Sequence, residues 1–378
     1  MLSLLPTHQV WRRENLVRLT PGAACCVGTQ AAAVNWALAK EGVTPSGTAH
    51  RNTPASKLPA PKAGGKAGDL FLTGVSEARL PVGWKAMGGP EYEELYQGVT
   101  AFLSSSPDVY VEDAALGSYS AMALPTRAIT DDAATAAFIK ASLCPIPSNV
   151  TTFASAVTIY AASGFKPPSG EGPIAAVNVE RGEVILAGGA SGATMSAAVA
   201  PVAEHYNAQQ GLAPLSGLCS VVGGKTFVVC AAGGAAPSGI PGTTFASQVV
   251  VGNDGIWSLF KTDGPNVLKL PSAIVLVGEG AGIPEAATLT PQQAAIYALG
   301  LKITASADAA EALARLSEST GTPVLLCKSA AAAAKTITAG SSPPPTEVAS
   351  AVAEFVLGNF GGLPEDILAP IRPVEKSE

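Results

Sequence analysis

Charged side chains are scarce in this sequence, and their scarcity limits what the protein can bind. They make up 14% of the 378 residues, against roughly 25% in ordinary globular domains. The net charge of −6 argues against nucleic-acid binding by the protein as a whole, because such binding needs a cationic surface. Two interpretations stay open: an alanine-rich composition without functional meaning, or a surface largely covered by partner subunits, since permanent interfaces are poor in charge.

Patterns typical of metal sites and disulfide frameworks are missing as well. The three histidines, His8, His50 and His205, lie far apart in sequence, which argues against a histidine-based metal site. No pair of cysteines has the C-x-x-C spacing, and most cysteines lie in apolar runs. This pattern predicts buried free thiols in a reducing compartment. The cysteines are Cys25, Cys26, Cys144, Cys219, Cys230 and Cys327.

Long hydrophobic runs suited to a membrane span are also lacking. Longer uncharged stretches exist, notably Val184–Ala203 and Thr226–Asn253, but these are interrupted by Gly and Pro and rich in Ala, Ser and Thr. We therefore predict a soluble protein. The N-terminal sequence MLSLLPTHQVWRRENLVRL mixes leucine with arginine and weakly resembles a mitochondrial presequence, either internal or uncleaved. Mitochondrial localisation is the expectation, with the cytoplasm as the alternative.

The charges that are present are unevenly distributed. Residues 1–66 carry eight Lys or Arg and two acids, whereas the rest of the chain carries fifteen bases and twenty-seven acids. A basic arm of this kind suits contact with an acidic partner or with RNA. The plainer interpretation, which we favour, is a solvated, flexible segment. Nucleic-acid binding is thus expected only through this arm, if anywhere.

Hydrophobic periodicity and turn signals predict a mixed α/β protein. A Pro/Gly/Ser/Lys-rich loop or linker is predicted over 43–68. The segment Asn178–Ile185 is typical of a hairpin with Arg181-Gly182 at its turn. Helices are predicted over 30–40, 90–103, 131–142, 196–209, 290–300, 305–320 and 346–357, and strands over 108–113, 122–129, 156–161, 175–179, 184–186, 226–230, 247–252, 273–277 and 323–328.

Five stretches of the sequence are each uninformative alone, but the order in which they occur points to one protein family. They are "VNWALAKEGVTPSGTA", "DVYVEDAALGSYSAMALPTRAITDDAATAAFIKASLCPIP", "ASGFKPPSGEGPIAAVNVERGEVILAGGASGATMSAAVAPVAEHY", "PSAIVLVGEGAGIPEAATLTPQQAAIYALG" and "LPEDILAPIRPVEK". In this order they resemble segments of the ATP-dependent phosphoenolpyruvate carboxykinases, whose motifs include "LPVRVVTE", "APGFKADP" and "LTPEQAMYHFLSGYTA". The resemblance covers most of residues 30–375.

This resemblance implies a two-domain carboxykinase-like fold that is truncated in its C-terminal, nucleotide-binding half. The chain is shorter than the family beyond Trp257, and the family's "EGGCYAK" segment is not found. On this basis we divide the chain into three parts. Residues 1–67 form a basic N-terminal arm, helix and linker, 68–222 an N-terminal domain, and 223–378 the truncated nucleotide-binding domain.

The resemblance also implies where a phosphate-binding loop belongs. In the active family this loop supplies glycines, a lysine for the β- and γ-phosphates and a threonine for Mg²⁺. Here the corresponding stretch is Ala231–Gly239, in which Pro237 stands at the lysine position. Ser238 could mimic the metal-binding hydroxyl, but the phosphate charge is left without a cation. A plain strand-to-loop turn is therefore the preferred interpretation.

The other functional motifs of the family are degraded in the same way. The acidic motif "IGDDEHxW" corresponds to Val251–Trp257, where only Asp254 keeps a carboxylate and Asn253 replaces another. A lone Asp before Gly is simply typical of a turn. The lysine-bearing "YAGEMKK" corresponds to Gly192–Ala198, and the metal-binding histidine falls near Gly217. The oxaloacetate-binding arginine of "GRSPKD" falls at Asn52, with Arg51 one residue away.

These losses imply that the chain is not an enzyme. Phosphoryl transfer and enolate stabilisation both need concentrated positive charge in a dry site, and losing one such donor typically costs about 10²–10³-fold in rate. We expect no catalytic, cofactor-binding or metal-binding residues and no cofactor. The leading hypothesis is a structural subunit of a larger, mitochondrial assembly, such as a respiratory complex, an ATP synthase or a mitoribosome. The main alternative is a regulatory protein that binds a nucleotide or carboxylate without turnover. An enzyme with new chemistry is a further alternative, but no pattern of residues in the sequence supports it.

Overall fold

The computed structural model describes residues 38–340, apart from short gaps at 62–64, 75–79, 82, 147–152, 169–171, 190, 235, 264–266, 279–282, 284 and 305. The helix predicted over 346–357 and most of the one predicted over 30–40 lie outside the described residues. The described end of the latter forms a 3₁₀ turn, Leu38–Glu41. Within the described residues the chain builds two eight-stranded sheets and six α-helices, which confirms the predicted mixed α/β class.

The first sheet has the strand order β1-β4-β5-β6-β8-β7-β2-β3. Its β4–β5 and β7–β8 pairs are antiparallel, and its other neighbours are parallel. The strands are β1 (Thr48–Arg51), β2 (Asp69–Thr73), β3 (Trp84–Met87), β4 (Asp108–Leu116), β5 (Leu124–Thr130), β6 (Val157–Ala162), β7 (Ile174–Asn178) and β8 (Glu183–Ala187). Helix α1 (Gly89–Ser105) packs on one face, and α2 (Ala133–Ser142) and α3 (Gly192–Gln209) pack on the other.

The second sheet has the order β13-β12-β11-β9-β10-β14-β16-β15. Its strands are β9 (Ala213–Val222), β10 (Lys225–Ala231), β11 (Thr243–Gly252), β12 (Gly255–Ser258), β13 (Val267–Leu268), β14 (Ala273–Val277), β15 (Ala286–Leu289) and β16 (Val324–Cys327). Helices α4 (Pro291–Gly300) and α5 (Ala307–Thr320) cover one face, and α6 (Ala330–Ala339) lies on the other. The central parallel strands β14 and β16 are buried throughout, which explains their continuous apolar sequences AIVLV and VLLC.

The two sheets share an apolar core around Trp257. This side chain is 2% exposed and belongs to the same cluster as residues of β4, β5, α2 and α3. Its ring lies 5.2 Å from that of Tyr119. Backbone hydrogen bonds add to the contact, because Gly117 N–H donates to Leu259 O (2.7 Å) and Ser118 N–H donates to Ser258 O (2.9 Å). The sheets are therefore joined by direct packing.

Most predicted elements are confirmed with small shifts of their ends. Helices α1 to α5 and the strands predicted between 108 and 328 are all present. The hairpin around Arg181-Gly182 is also confirmed, since β7 and β8 pair antiparallel with Asn178 opposite Glu183. Helix α4 begins as predicted at Thr290, whose hydroxyl accepts from Gln293 N–H while the Gln293 side chain accepts from Thr290 N–H.

One prediction was wrong, and several elements were missed. The loop predicted over 43–68 contains strand β1, which pairs in parallel with β4 and forms the edge of the first sheet. The other elements that were not predicted are helix α6 and strands β2, β3, β9, β12, β13 and β15. The division into an arm and two domains meeting at Val222 stays a prediction; along the chain, the change from the first sheet to the second falls between α3 and β9.

Four cysteines lie in the described residues, and all are buried thiols outside any disulfide, as predicted: Cys144, Cys219, Cys230 and Cys327. Burial raises the pKa of the Cys219 thiol to about 12 and also raises that of Cys230. Such thiols stay protonated and are poor nucleophiles at neutral pH. None of the described helices combines the length and apolar character that crossing a membrane requires.

Candidate functional site

The loop expected to hold phosphate connects two strands. It follows β10, and the next regular element is β11, which lies antiparallel to β9. A phosphate-binding loop normally leads from a strand into a helix, whose free N-terminal amides and dipole attract the anion. Over the described part of 231–252 no α-helix follows the strand. The described part of this loop therefore provides no helix N-terminus to which a phosphate could bind.

Few groups of this loop are arranged to bind a phosphate. Gly233 lies in a short 3₁₀ turn, Ala232–Gly234, with a positive φ of 75°, and its N–H donates to Leu301 O at 2.8 Å. Pro237 has no N–H to offer. Ser238 is exposed. The preferred interpretation of this stretch as a strand-to-loop turn agrees with its geometry.

The stretch that the resemblance aligns with the acidic motif contains a hairpin turn. Asn253 and Asp254 are exposed and connect β11 to β12. The Asp254 carboxylate accepts a hydrogen bond from Tyr119 O–H at 3.4 Å, and Asn253 Oδ1 accepts one from Ser319 O–H at the same distance. The prediction of a turn is confirmed. The carboxylate contributes to the contact between the sheets.

The stretch Gly192–Ala198 forms the first turns of α3, which begins four residues earlier than predicted. Ser191 caps the helix by accepting from Thr194 N–H at 3.2 Å. A Cβ atom on Gly192 would lie 2.4 Å from the Phe138 ring, and Ala198 is fully buried. A side chain at Gly192 would have to displace the Phe138 ring, and the buried Ala198 position leaves no room for the lysine found in the family's motif.

Gly217 lies in the middle of β9, where the histidine of the family's motif was expected. A Cβ atom there would lie 2.4 Å from Val229 O and 2.8 Å from Cys230 Sγ. The neighbouring strand therefore excludes any side chain at this position. Across the described ranges between 38 and 340, no three His, Cys, Asp or Glu residues come together in a group that could hold a metal ion.

The two candidates for the substrate-binding arginine position have separate structural contacts. Arg51 lies at the end of β1, and its Nε and Nη2 atoms donate to Asp113 Oδ2 at 3.1 and 2.9 Å. Asn52 has a positive φ of 47°, and its Oδ1 accepts from Asp113 N–H at 2.8 Å. Both side chains thus fix the edge strand β1 to β4.

Asp113 is the centre of a buried charge cluster that the sequence analysis missed. Its carboxylate is fully buried and also accepts from Arg127, with distances of 2.7 Å from Nε and 3.2 Å from Nη2. Arg127 Nη1 donates to Glu41 Oε1 at 3.1 Å. Burial alone would lower the pKa of Arg127, but the carboxylates of Asp113 and Glu41 outweigh it and raise that pKa. The cluster pairs two cations with two anions.

Glu41 connects this cluster to the helix layer. Its backbone carbonyl accepts hydrogen bonds from Tyr96 O–H (3.2 Å) and Tyr160 O–H (3.0 Å). Its second carboxylate oxygen, Oε2, is buried without a hydrogen-bond partner. The sequence carried one signal for the cluster: acidic residues inside the apolar strand VYVEDAAL, which are rarely buried unless paired.

A pocket between α2 and the start of α3 is too small for a metabolite. Thr135, Ser163 and Ser191 contribute polar groups to its wall, and its volume is about 20 Å³. A cavity of this size holds about one water molecule. It therefore has no room for a nucleotide or a dicarboxylate.

The comparisons with known proteins leave the family open. No protein-family model matches the chain, and no curated protein matches it significantly. The argument for function therefore rests on the residues and contacts described above.

Proposed function

We propose that this protein is a non-catalytic, structural subunit of a larger protein assembly, built on a carboxykinase-like fold whose reaction site has been lost. We also propose that the assembly is mitochondrial, because the N-terminal sequence weakly resembles a mitochondrial presequence. One observation carries most of the weight. The Ala231–Gly239 loop, where the resemblance puts the nucleotide phosphates, leads into strand β11 and bonds its Gly233 amide to the carbonyl of Leu301.

The other positions expected at a reaction site support the same proposal. Arg51 binds Asp113, Asp254 occupies a hairpin turn, and Gly217 has room only for a hydrogen atom as its side chain. A side chain that already has a structural partner is costly to recruit for a ligand, because the partner would be left buried and unpaired. Fold stability therefore explains the residues found at each of these positions.

The low charge of the chain supports a role in an assembly. Charged residues are depleted at the core of protein interfaces, and permanent interfaces are the most apolar. A scaffold of this kind needs a stable fold and docking surfaces, and it needs no reactive group. The proposal explains why the chain has two well-packed sheets. It also explains why the residues at the expected site positions are small, apolar or paired with other residues of the chain.

Mild affinity purification of the tagged, full-length protein tests the proposal. We expect the 37.8 kDa chain to migrate within a much larger particle and to retain a fixed set of other proteins through size-exclusion chromatography. Recovery as a monomer that never co-purifies with other chains would contradict it. Thermal unfolding with ATP plus Mg²⁺ or Mn²⁺, and separately with oxaloacetate, tests the regulatory alternative, because a ligand bound only by the folded state raises Tm.

A further inference from the structure

Within the described residues, the chain passes from the first sheet to the second only once, through a short connection. Helix α3 ends at Gln209 and β9 begins at Ala213, and Gly211 between them is exposed with a positive φ of 74°. A Cβ atom on Gly211 would meet nothing within 4 Å, so this residue could absorb a change in backbone angles, as hinge residues do. Two bodies joined in this way move relative to each other unless their contact is large and apolar.

The first contact between the two halves joins β12 and the residues after it to the first sheet, and we call it the β12 contact. Its apolar centre surrounds the buried side chain of Trp257. Besides the bonds that Gly117 and Ser118 donate, Lys261 N–H donates to Ser142 O, at the end of α2, at 2.8 Å. These bonds join backbone to backbone, so they fix the direction of β12 relative to β4 and α2 without relying on flexible side chains.

The second contact lies between α3, which packs on the first sheet, and α5, which packs on the second. We call it the helix contact. Ala208, Ala309 and Ala312 form a buried cluster of their own there, with exposures of 0–3%. Helices that meet through such small side chains approach each other closely. One turn before Ala208, the Glu204 carboxylate accepts a hydrogen bond from Ser306 N–H at 3.1 Å, which ties the start of α5 to α3.

The two contacts lie near opposite ends of α5. Ser306 caps its N-terminus at the helix contact, and near its C-terminus Ser319 O–H donates to Asn253 Oδ1 at 3.4 Å. Asn253 belongs to the β11–β12 turn, in which Asp254 accepts from Tyr119 of the first half. The fourteen residues of α5 span about 20 Å. A single contact can act as a pivot, but turning about it separates the groups of a second contact this far away, unless the axis runs through both.

We propose that the β12 contact and the helix contact together form a clamp that holds the two sheets in one fixed orientation, so that Gly211 does not act as a hinge. The inference goes beyond the proposed structural role and does not depend on it. Its consequence is mechanical: surfaces on the two halves keep one mutual arrangement, and neither half closes over a ligand as hinged ligand-binding proteins do.

Distances between spin labels on the full-length protein test the clamp. Cys25→Ser and Cys26→Ser leave only the four buried thiols, which label poorly. Glu94→Cys on α1 with Lys335→Cys on α6 then forms a pair across the two sheets, and Glu94→Cys with Ala193→Cys on α3 forms a reference pair within the first half. All three labelled positions are exposed.

We expect the pair across the sheets to give one distance distribution, as narrow as that of the reference pair. Addition of ATP with Mg²⁺, or of oxaloacetate, should leave it unchanged. A distribution across the sheets that is broader than the reference, that has two maxima, or that shifts with either compound would overturn the inference.

A matched pair of substitutions in α5 tests the helix contact itself. Ala312→Leu puts a larger side chain into the alanine cluster and should push α5 away from α3, whereas Ala307→Leu makes the same change at an exposed position of the same helix. We expect Ala312→Leu to broaden the distribution across the sheets about twofold or more, with no change in the reference pair. Ala307→Leu should alter neither pair.

An unchanged distribution across the sheets in folded Ala312→Leu would remove the helix contact from the clamp and so overturn the inference. If this variant does not fold, the wild-type distances still decide the matter. The proposed function is tested separately. A chain with one narrow distance that never co-purifies with partners would keep the clamp and contradict the structural role, whereas a chain that retains partners but shows several distances would do the reverse.

Discussion

The Nε atom of Arg127 lies 2.7 Å from Oδ1 of Asp113, in a part of the first sheet where both side chains are almost inaccessible to water. The same carboxylate receives Arg51 from the edge strand β1. One buried acid therefore connects three neighbouring strands, β1, β4 and β5. In a protein proposed to serve as a scaffold, such a connection has a plain role, which is to hold the sheet edge in a single register.

Removing the charge of Asp113 should destabilise the fold strongly. Asp113→Asn leaves Arg51 and Arg127 facing an amide, and breaking a buried ion pair from one side typically costs about 3–5 kcal/mol. Urea unfolding followed by circular dichroism measures the change. Arg315→Gln is the control, because it removes an exposed pair with Glu311 whose loss should cost under about 0.5 kcal/mol. Equal effects of the two variants would contradict the role given to Asp113.

Much of the fold could be predicted from the sequence, because several helices carry strong local signals. Helices α4 and α5 have Thr290 and Ser306 at their N-caps, and α5 has a clear apolar stripe. Helix α6 was missed because its ten residues, AAAAAKTITA, offer little contrast between apolar and polar positions. Strand β1 was missed because its four residues lie in a Pro- and Gly-rich stretch, and pairing with β4 decides its conformation.

The candidate site was predictable only in part. Substitutions such as Pro237 for a lysine are visible residue by residue once a family resemblance is assumed. The partner of Arg51 is not visible, because the contact with Asp113 depends on the register that sets Arg51 opposite Val111 and Arg127 opposite Asp113. Buried charge clusters arise from residues distant in sequence, and a single sequence holds no record of which strands become neighbours.

Placing a lysine in the Ala231–Gly239 loop should not create nucleotide binding. Pro237→Lys returns a cation to its expected position, yet the loop still leads into a strand, so no helix N-terminus adds its amides and dipole. We expect ATP with Mg²⁺ to shift Tm no more for this variant than for Pro237→Ala, which controls for the loss of proline. A rise in Tm that is specific to the lysine variant and saturates with ATP would contradict this interpretation of the loop.

His205 should make stability depend on pH in the acidic range. Burial lowers its pKa below the ordinary value of 6.5, although Asp308 and Glu180 act in the opposite direction. The unfolded chain then takes up the proton first as the pH falls below 6.5, so stability is lost from that pH down to the folded-state pKa. NMR titration of the ring protons measures that pKa directly.

A non-titrating variant separates this effect from other acid-sensitive groups. His205 Nε2 lies 2.9 Å from Gln209 Nε2, a contact in which the neutral ring accepts the amide proton. His205→Gln removes the titration, so the wild type's advantage in unfolding free energy over this variant should be smaller at pH 5 than at pH 8. An advantage that stays constant between the two values would show that His205 does not titrate differently in the folded state.

Gly217 offers the most direct test of the argument that packing fixes the residues at the positions where the resemblance expects a reaction site. An alanine there would place its Cβ 2.4 Å from Val229 O, inside a sheet whose neighbouring strands cannot move apart independently. Overpacking of this kind typically costs about 1–3 kcal/mol. Gly89→Ala is the matched control, because Gly89 begins α1 without a positive φ and has open space around it, so the same change there should be neutral or stabilising by up to about 1 kcal/mol. If Gly217→Ala proved as harmless as Gly89→Ala in urea unfolding, the strand would have room for a side chain, and its glycine would need a functional explanation.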